Sequence, residues 1–112
     1  MKYFHNPRCR KSREGLSILE EKGLNPNIIY YLKEPLSKED IIEVVNLLNI
    51  SALDLIRKNE PIFKEKFKDK KLSENDYIDA MYNHPILIER PIFINNKRAI
   101  IGRPPEKILE LI

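Results

Sequence analysis

The chain has 112 residues, 42% of them hydrophobic and 33% charged, with 20 basic and 17 acidic side chains and a net charge of +3. That is enough length for a buried core and too much apolar content for a disordered chain. No apolar run approaches the roughly 20 residues of a membrane-spanning helix, and the small basic excess, interleaved with acids, does not mark a nucleic-acid binder.

Lys2 to His5 reads as a short strand. Ser12 to Lys22 reads as a helix, with Ser12, Gly15, Leu16 and Leu19 on one face and Gly23 as its stop. After the Asn25-Pro26-Asn27 turn, Ile28 to Leu32 is β-branched and aromatic without alternation, the pattern of a strand covered on both faces. Strand, helix and strand within so few residues imply a right-handed crossover and a parallel pair.

Ser37, three residues before Asp40, looks like a capped helix start, and Ile41, Val44, Val45 and Leu48 share one helical face. Ala52 to Lys58 is expected as a shorter helix. Pro61 opens another irregular or helical piece through Phe67. Lys64 to Lys71 reads as a solvated charged run. Ser73 to Asp76 repeats the cap signal, and His84-Pro85 ends the helix that follows. Residues 36 to 84 are thus a helical insertion between strands.

Arg90 to Ile94 and Arg98 to Gly102 read as a hairpin around Asn95-Asn96-Lys97, residues that tolerate left-handed conformations. A last helix opens at Arg103-Pro104-Pro105-Glu106, with Ile108, Leu109 and Ile112 expected inward. The order of elements is that of an α/β thioredoxin-like fold: a four-stranded mixed sheet in a single domain, residues 1–112, with a helical insertion between strands two and three. In that fold a cis-proline opens strand three opposite the reactive loop, and Pro91 stands at that place.

The chemistry concentrates in His5-Asn6-Pro7-Arg8-Cys9-Arg10-Lys11-Ser12-Arg13, which holds the single cysteine and four cations within four residues of it. A strand–turn–helix junction puts Cys9 at or just before a helix N-terminus, where free N–H groups and the helix dipole favour an anion. Thiols in such electropositive places ionise more readily than free ones. On the residues alone, a nucleophile and a small structural hydrophobe are equally good readings of Cys9. A single cysteine forms no internal disulfide, and Met1 to His5 opens directly as a strand with no leader pattern; both point to a reducing cytoplasm. His5 and Cys9 with the distant His84 are too few for a metal centre. A phosphatase-type loop would carry arginine six residues after the cysteine, where this chain has Gly15.

His5-Asn6-Pro7-x-Cys9-x-x-Ser12-Arg13 resembles the active-site loop of the glutaredoxin-coupled arsenate reductase family. The resemblance extends to Leu55-Ile56-Arg57-Lys58-Asn59, to His84 through Ile92, and to Gly102-Arg103-Pro104-Pro105-Glu106. It implies a nucleophilic Cys9, with Arg57, Arg90 and Arg103 around an arsenate-sized oxyanion and His5 and Ser12 supporting the loop. It also implies glutathione as reductant, glutaredoxin as partner, and no bound cofactor. The physics agrees in kind, since a tetrahedral oxyanion suits forked guanidinium donors. Taken singly, each arginine reads better as a surface charge or ion pair. Ser12 replaces the second cysteine of a Cys-x-x-Cys pair. It can cap the helix or donate to the thiolate, and it cannot resolve a mixed disulfide. Two other activities share the loop: a redox-responsive regulator that binds RNA polymerase, which typically carries both cysteines, and a general glutathione-dependent thiol oxidoreductase.

Overall fold

A computed structural model describes residues 1–112. The chain divides into two compact units: Met1–Glu34 with Arg90–Ile112, and Pro35–Glu89. No helix in either is long and apolar enough to cross a membrane.

The first unit is built on a sheet of β1 (Lys2–Phe4), β2 (Asn27–Ile29), β3 (Ile92–Asn95) and β4 (Arg98–Ile101), in the order β2-β1-β3-β4. β1 runs parallel to β2 and antiparallel to β3, as the thioredoxin-like order requires. The β3–β4 hairpin turns through Asn96 at φ 58°, the left-handed conformation that asparagine tolerates. Tyr3 and Phe93 are register partners on one face, and they form the core with Leu19 of α1 (Arg10–Glu21) and with Ile108 and Leu111. At the end of α1, Gly23 takes φ 74° while the Gly23 and Leu24 N–H groups bond back to Glu20 and Leu19, a left-handed helix stop.

Two expectations for this unit are corrected. β2 is shorter than Ile28–Leu32 and forms an edge of the sheet, with Ile28 and Ile29 only half-buried. Its unbroken apolar character comes from its position beside the turn into Tyr31, which is buried, and not from cover on both faces. The last helix is a 3-10 helix, Pro105–Leu111. With three residues per turn, positions three apart eclipse. Pro105, Ile108 and Leu111 therefore face inward, while Leu109 is 41% exposed and Ile112 53% exposed.

The second unit is helical. α2 (Lys38–Leu48) and α4 (Glu74–Asn83) each begin with the capping box expected for them: Ser37 with Asp40, and Ser73 with Asp76. α3 (Pro61–Lys66) is a short piece between them in sequence. The helix expected over Ala52–Lys58 is a 3-10 turn of Ala52–Leu55 only. Past it the backbone extends, because Ile56 pairs with Ile88, Arg57 N–H donates to Leu87 O at 2.7 Å and Glu89 N–H to Leu55 O at 2.9 Å. A bridge to a segment 32 positions away overrides the local helical pattern.

Candidate active site

The loop after β1 is tied down by the first turn of the helix it feeds. Asn6 O accepts from Cys9 N–H at 3.0 Å and closes a tight turn, and Asn6 Oδ1 accepts from Arg8 N–H at 3.1 Å. Ser12, fully buried, reaches back from α1: its Oγ accepts from Asn6 N–H at 3.0 Å and lies 2.7 Å from His5 Nδ1. Arg13 Nη1 donates to Pro7 O at 2.8 Å. Tyr3 O–H donates to Ser12 O at 2.5 Å, anchoring the same turn to the sheet.

Cys9 is the N-cap residue of α1, half-buried, a free thiol, and its side chain makes no cap hydrogen bond. The first amides of a helix at that point have no partner within the helix. Of the four neighbouring cations only Arg10 has a carboxylate partner, Glu14 at 2.8 Å. The Ser12 hydroxyl is engaged by His5 and Asn6 and bonds neither to Cys9 nor, as a side-chain cap, to the helix start. Burial first, and the Arg13 charge second, lower the pKa of His5, which favours its neutral imidazole. Burial raises the pKa of the Tyr3 phenol well above its ordinary range, which keeps it a hydrogen-bond donor.

Pro91, after a cis peptide bond from Arg90, is buried beside α1 and the turn after β4. Its Cγ lies 3.4 Å from where a Cβ on Gly15 would stand and 2.8 Å from one on Gly102. The proline's approach requires Gly102, whereas at Gly15 it would meet a Cβ only in ordinary contact, and that position is kept small by Tyr3 Oη at 2.5 Å and Ile108 Cδ1 at 2.7 Å. Gly102 N–H donates to Pro91 O at 2.9 Å, and Arg103 Nη1 donates to Arg90 O at 3.0 Å. A second cis bond joins Arg103 to Pro104, where no cis bond was expected. Nε and Nη1 of Arg90 are sealed from solvent and have no hydrogen-bond partner. Such unsatisfied donors on a cation are costly unless an anion meets them.

Cys9, His5, Ser12, Arg90, Pro91 and Arg103 thus belong to one unit, and Arg57 to the helical one. There Arg57 follows the Ile56–Ile88 bridge, and its Nη1 bonds to Glu60. Sequence reasoning missed Glu60 and Tyr3. The first stood in plain sight three residues after Arg57. The second had no local signal, because its partner is a backbone carbonyl nine residues away.

Comparison with known proteins adds lineage to this geometry. The ArsC family model matches residues 4–111. The chain is 43% identical over 114 residues to YfgD of Escherichia coli K12, covering 100% of this chain and 96% of that one. It is 40% identical over 110 residues to a Neisseria meningitidis protein named arsenate reductase, covering 96% and 94% of the two. Among solved structures, an arsenate reductase from Vibrio cholerae superimposes with a TM-score of 0.95 at 40% identity, covering 100% of this chain and 98% of that one.

Proposed function

Because the chain belongs to the ArsC family, we propose that it is an arsenate reductase whose nucleophile is Cys9 and whose reducing equivalents come from glutathione and glutaredoxin. The observation that carries this reading is the Arg90 guanidinium, with two buried N–H-bearing nitrogens aimed at no protein acceptor. A guanidinium so placed suits an oxyanion, whose oxygens accept from its forked donors. Arg103, held to Arg90 O, is the second anion ligand. Arg57 enters through its matched family position, with one terminal nitrogen already bonded to Glu60. His5 and Ser12 act as positioning residues, holding the turn that presents Cys9.

In the proposed reaction the Cys9 sulfur attacks arsenic and an arsenate oxygen leaves as water. The helix amides and guanidinium groups stabilise the charge on the remaining oxygens. A glutathione thiol then adds to arsenic and displaces a second oxygen. A glutaredoxin thiolate attacks the glutathione sulfur, so a sulfur–sulfur bond forms and the electron pair of the arsenic–sulfur bond stays on arsenic. Hydrolysis of the Cys9–arsenic bond frees arsenite. One arsenate and two thiols become one arsenite, one disulfide and one water. A chain with one cysteine must take both thiols from outside.

The test is steady-state arsenate reduction with glutathione and glutaredoxin. Cys9→Ser should abolish turnover. Arg90→Ala should lower kcat/KM for arsenate about 100-fold, with little rescue by Arg90→Lys because an ammonium lacks the fork. No turnover by the parent protein, or full turnover by Cys9→Ser, rejects the proposal. Reduction of glutathione mixed disulfides with no arsenate turnover would favour a general thiol oxidoreductase.

A further inference from the structure

A cavity of about 310 Å³ opens beside the Cys9 loop, walled by His5, Asn6, Pro7 and Arg8 after β1 and by Tyr30, Leu32 and Lys33 after β2. It lies at the carboxyl ends of the parallel pair, the general place for ligands in sheets of this kind. Its size is at the lower end of small-molecule pockets, which run from roughly 300 to 1,000 Å³.

Its chemistry is one-sided. No acidic residue lines it. Arg8 and Lys33 stand at its rim, both exposed, and neither side chain has an ion-pair or hydrogen-bond partner. His5 and Asn6, only 5% and 6% exposed, are held through His5 Nδ1 and Asn6 Oδ1, which leaves His5 Nε2 and Asn6 Nδ2 without protein partners. Ser12 Oγ already accepts from Asn6. A Ser12 O–H that donates to His5 Nδ1 places the imidazole proton on Nε2. The polar groups left over on His5, Asn6, Arg8 and Lys33 are then all donors: Nε2–H, the Asn6 amide, and two cations, with the Tyr30 hydroxyl able to donate or accept beside them. Between them, Tyr30 at 37% exposed and Leu32 at 41% exposed offer uncovered apolar surface. The complement is a small molecule that carries carboxylates, accepts hydrogen bonds and has a partly apolar body.

We propose that this cavity is the docking site of the thiol co-substrate, a short peptidyl thiol with free carboxylates, held through Arg8 and Lys33 while its sulfur attacks the arsenic on Cys9. Glutathione has that chemistry. The inference rests on the thiol-dependent reading above and adds the place where the first external thiol is received. It also gives Arg8 a role: anchoring the reductant rather than the oxyanion.

The test separates docking from turnover. S-methylglutathione, which cannot react, is titrated into the Cys9→Ser protein by calorimetry and by amide chemical shifts. Saturable binding that perturbs Tyr30, Leu32 and Lys33 is expected. Arg8→Ala and Lys33→Ala should each weaken it about five- to tenfold, and the diethyl ester, which lacks both carboxylates, should bind weakly or not at all. In turnover, both variants should raise the KM for glutathione and leave the KM for arsenate unchanged. Saturable S-methylglutathione binding at these residues, together with no arsenate turnover by the parent protein that keeps Cys9, would sink the reductase proposal and keep the docking site. Arsenate turnover with unaltered glutathione KM in both variants, or S-methylglutathione shifts confined to other elements, overturns the docking site alone.

Discussion

Replacing Ser12 by alanine removes one hydroxyl and strips two groups at once. Asn6 N–H, 3.0 Å from Ser12 Oγ, loses its acceptor, and His5 Nδ1, 2.7 Å away, loses its partner. Both belong to buried residues, so solvent does not replace the missing oxygen. An unsatisfied buried polar group costs about 1–3 kcal/mol, and the helical preference of alanine over serine near the start of α1 returns roughly 0.5 kcal/mol. With two groups stripped, the net loss should be about 1.5–5.5 kcal/mol, or about 6–22 °C in Tm for a chain of this size. Urea unfolding with an unchanged slope is the assay, since a shift of midpoint alone reports stability. A Ser12→Ala protein within about 0.5 kcal/mol of the parent would refute the idea that this hydroxyl locks the Cys9 loop.

The pKa of His5 is lowered by burial and then by Arg13. The unfolded chain therefore binds a proton first as the pH falls. Stability should be full above the ordinary histidine value of 6.5 and decline below it until the folded pKa is reached. His5→Gln should flatten that part of a pH–stability profile, and an unchanged slope would remove His5 as its source. Gly15→Ala would put a Cβ 2.5 Å from Tyr3 Oη and 2.7 Å from Ile108 Cδ1, both fully buried. Overpacking of about 1–3 kcal/mol should outweigh the roughly 1 kcal/mol helical gain, so chemical denaturation should show a net loss. Ile108→Ala should cost about 2–5 kcal/mol, whereas Leu109→Ala should stay within about 0.5 kcal/mol. The reverse ranking would contradict the 3-10 register of the last helix.

The elements most legible in the sequence are those specified by residues close to one another. The capping boxes of Ser37 with Asp40 and Ser73 with Asp76 are complete within four positions, and both helices begin where those signals stand. Gly23 and Asn96 mark their turns because only a few residues tolerate positive φ. The Arg98 strand follows from its hairpin. Arg57 was harder to place. Its surroundings read as a helix, and a bridge from Ile56 to Ile88 pulled the chain straight.

By itself the order of residues determined the succession of strands and helices, the lone thiol at a helix start and the cations around it, because propensity, capping and charge act over a few positions. Only the folded chain decided that Ser12 serves His5 and Asn6, that Ile108 and not Leu109 joins the core, and that Arg90 buries two donors without a partner. Those outcomes depend on groups brought together from distant parts of the chain. Burial then makes each unmatched donor or extra methylene costly enough to select one arrangement.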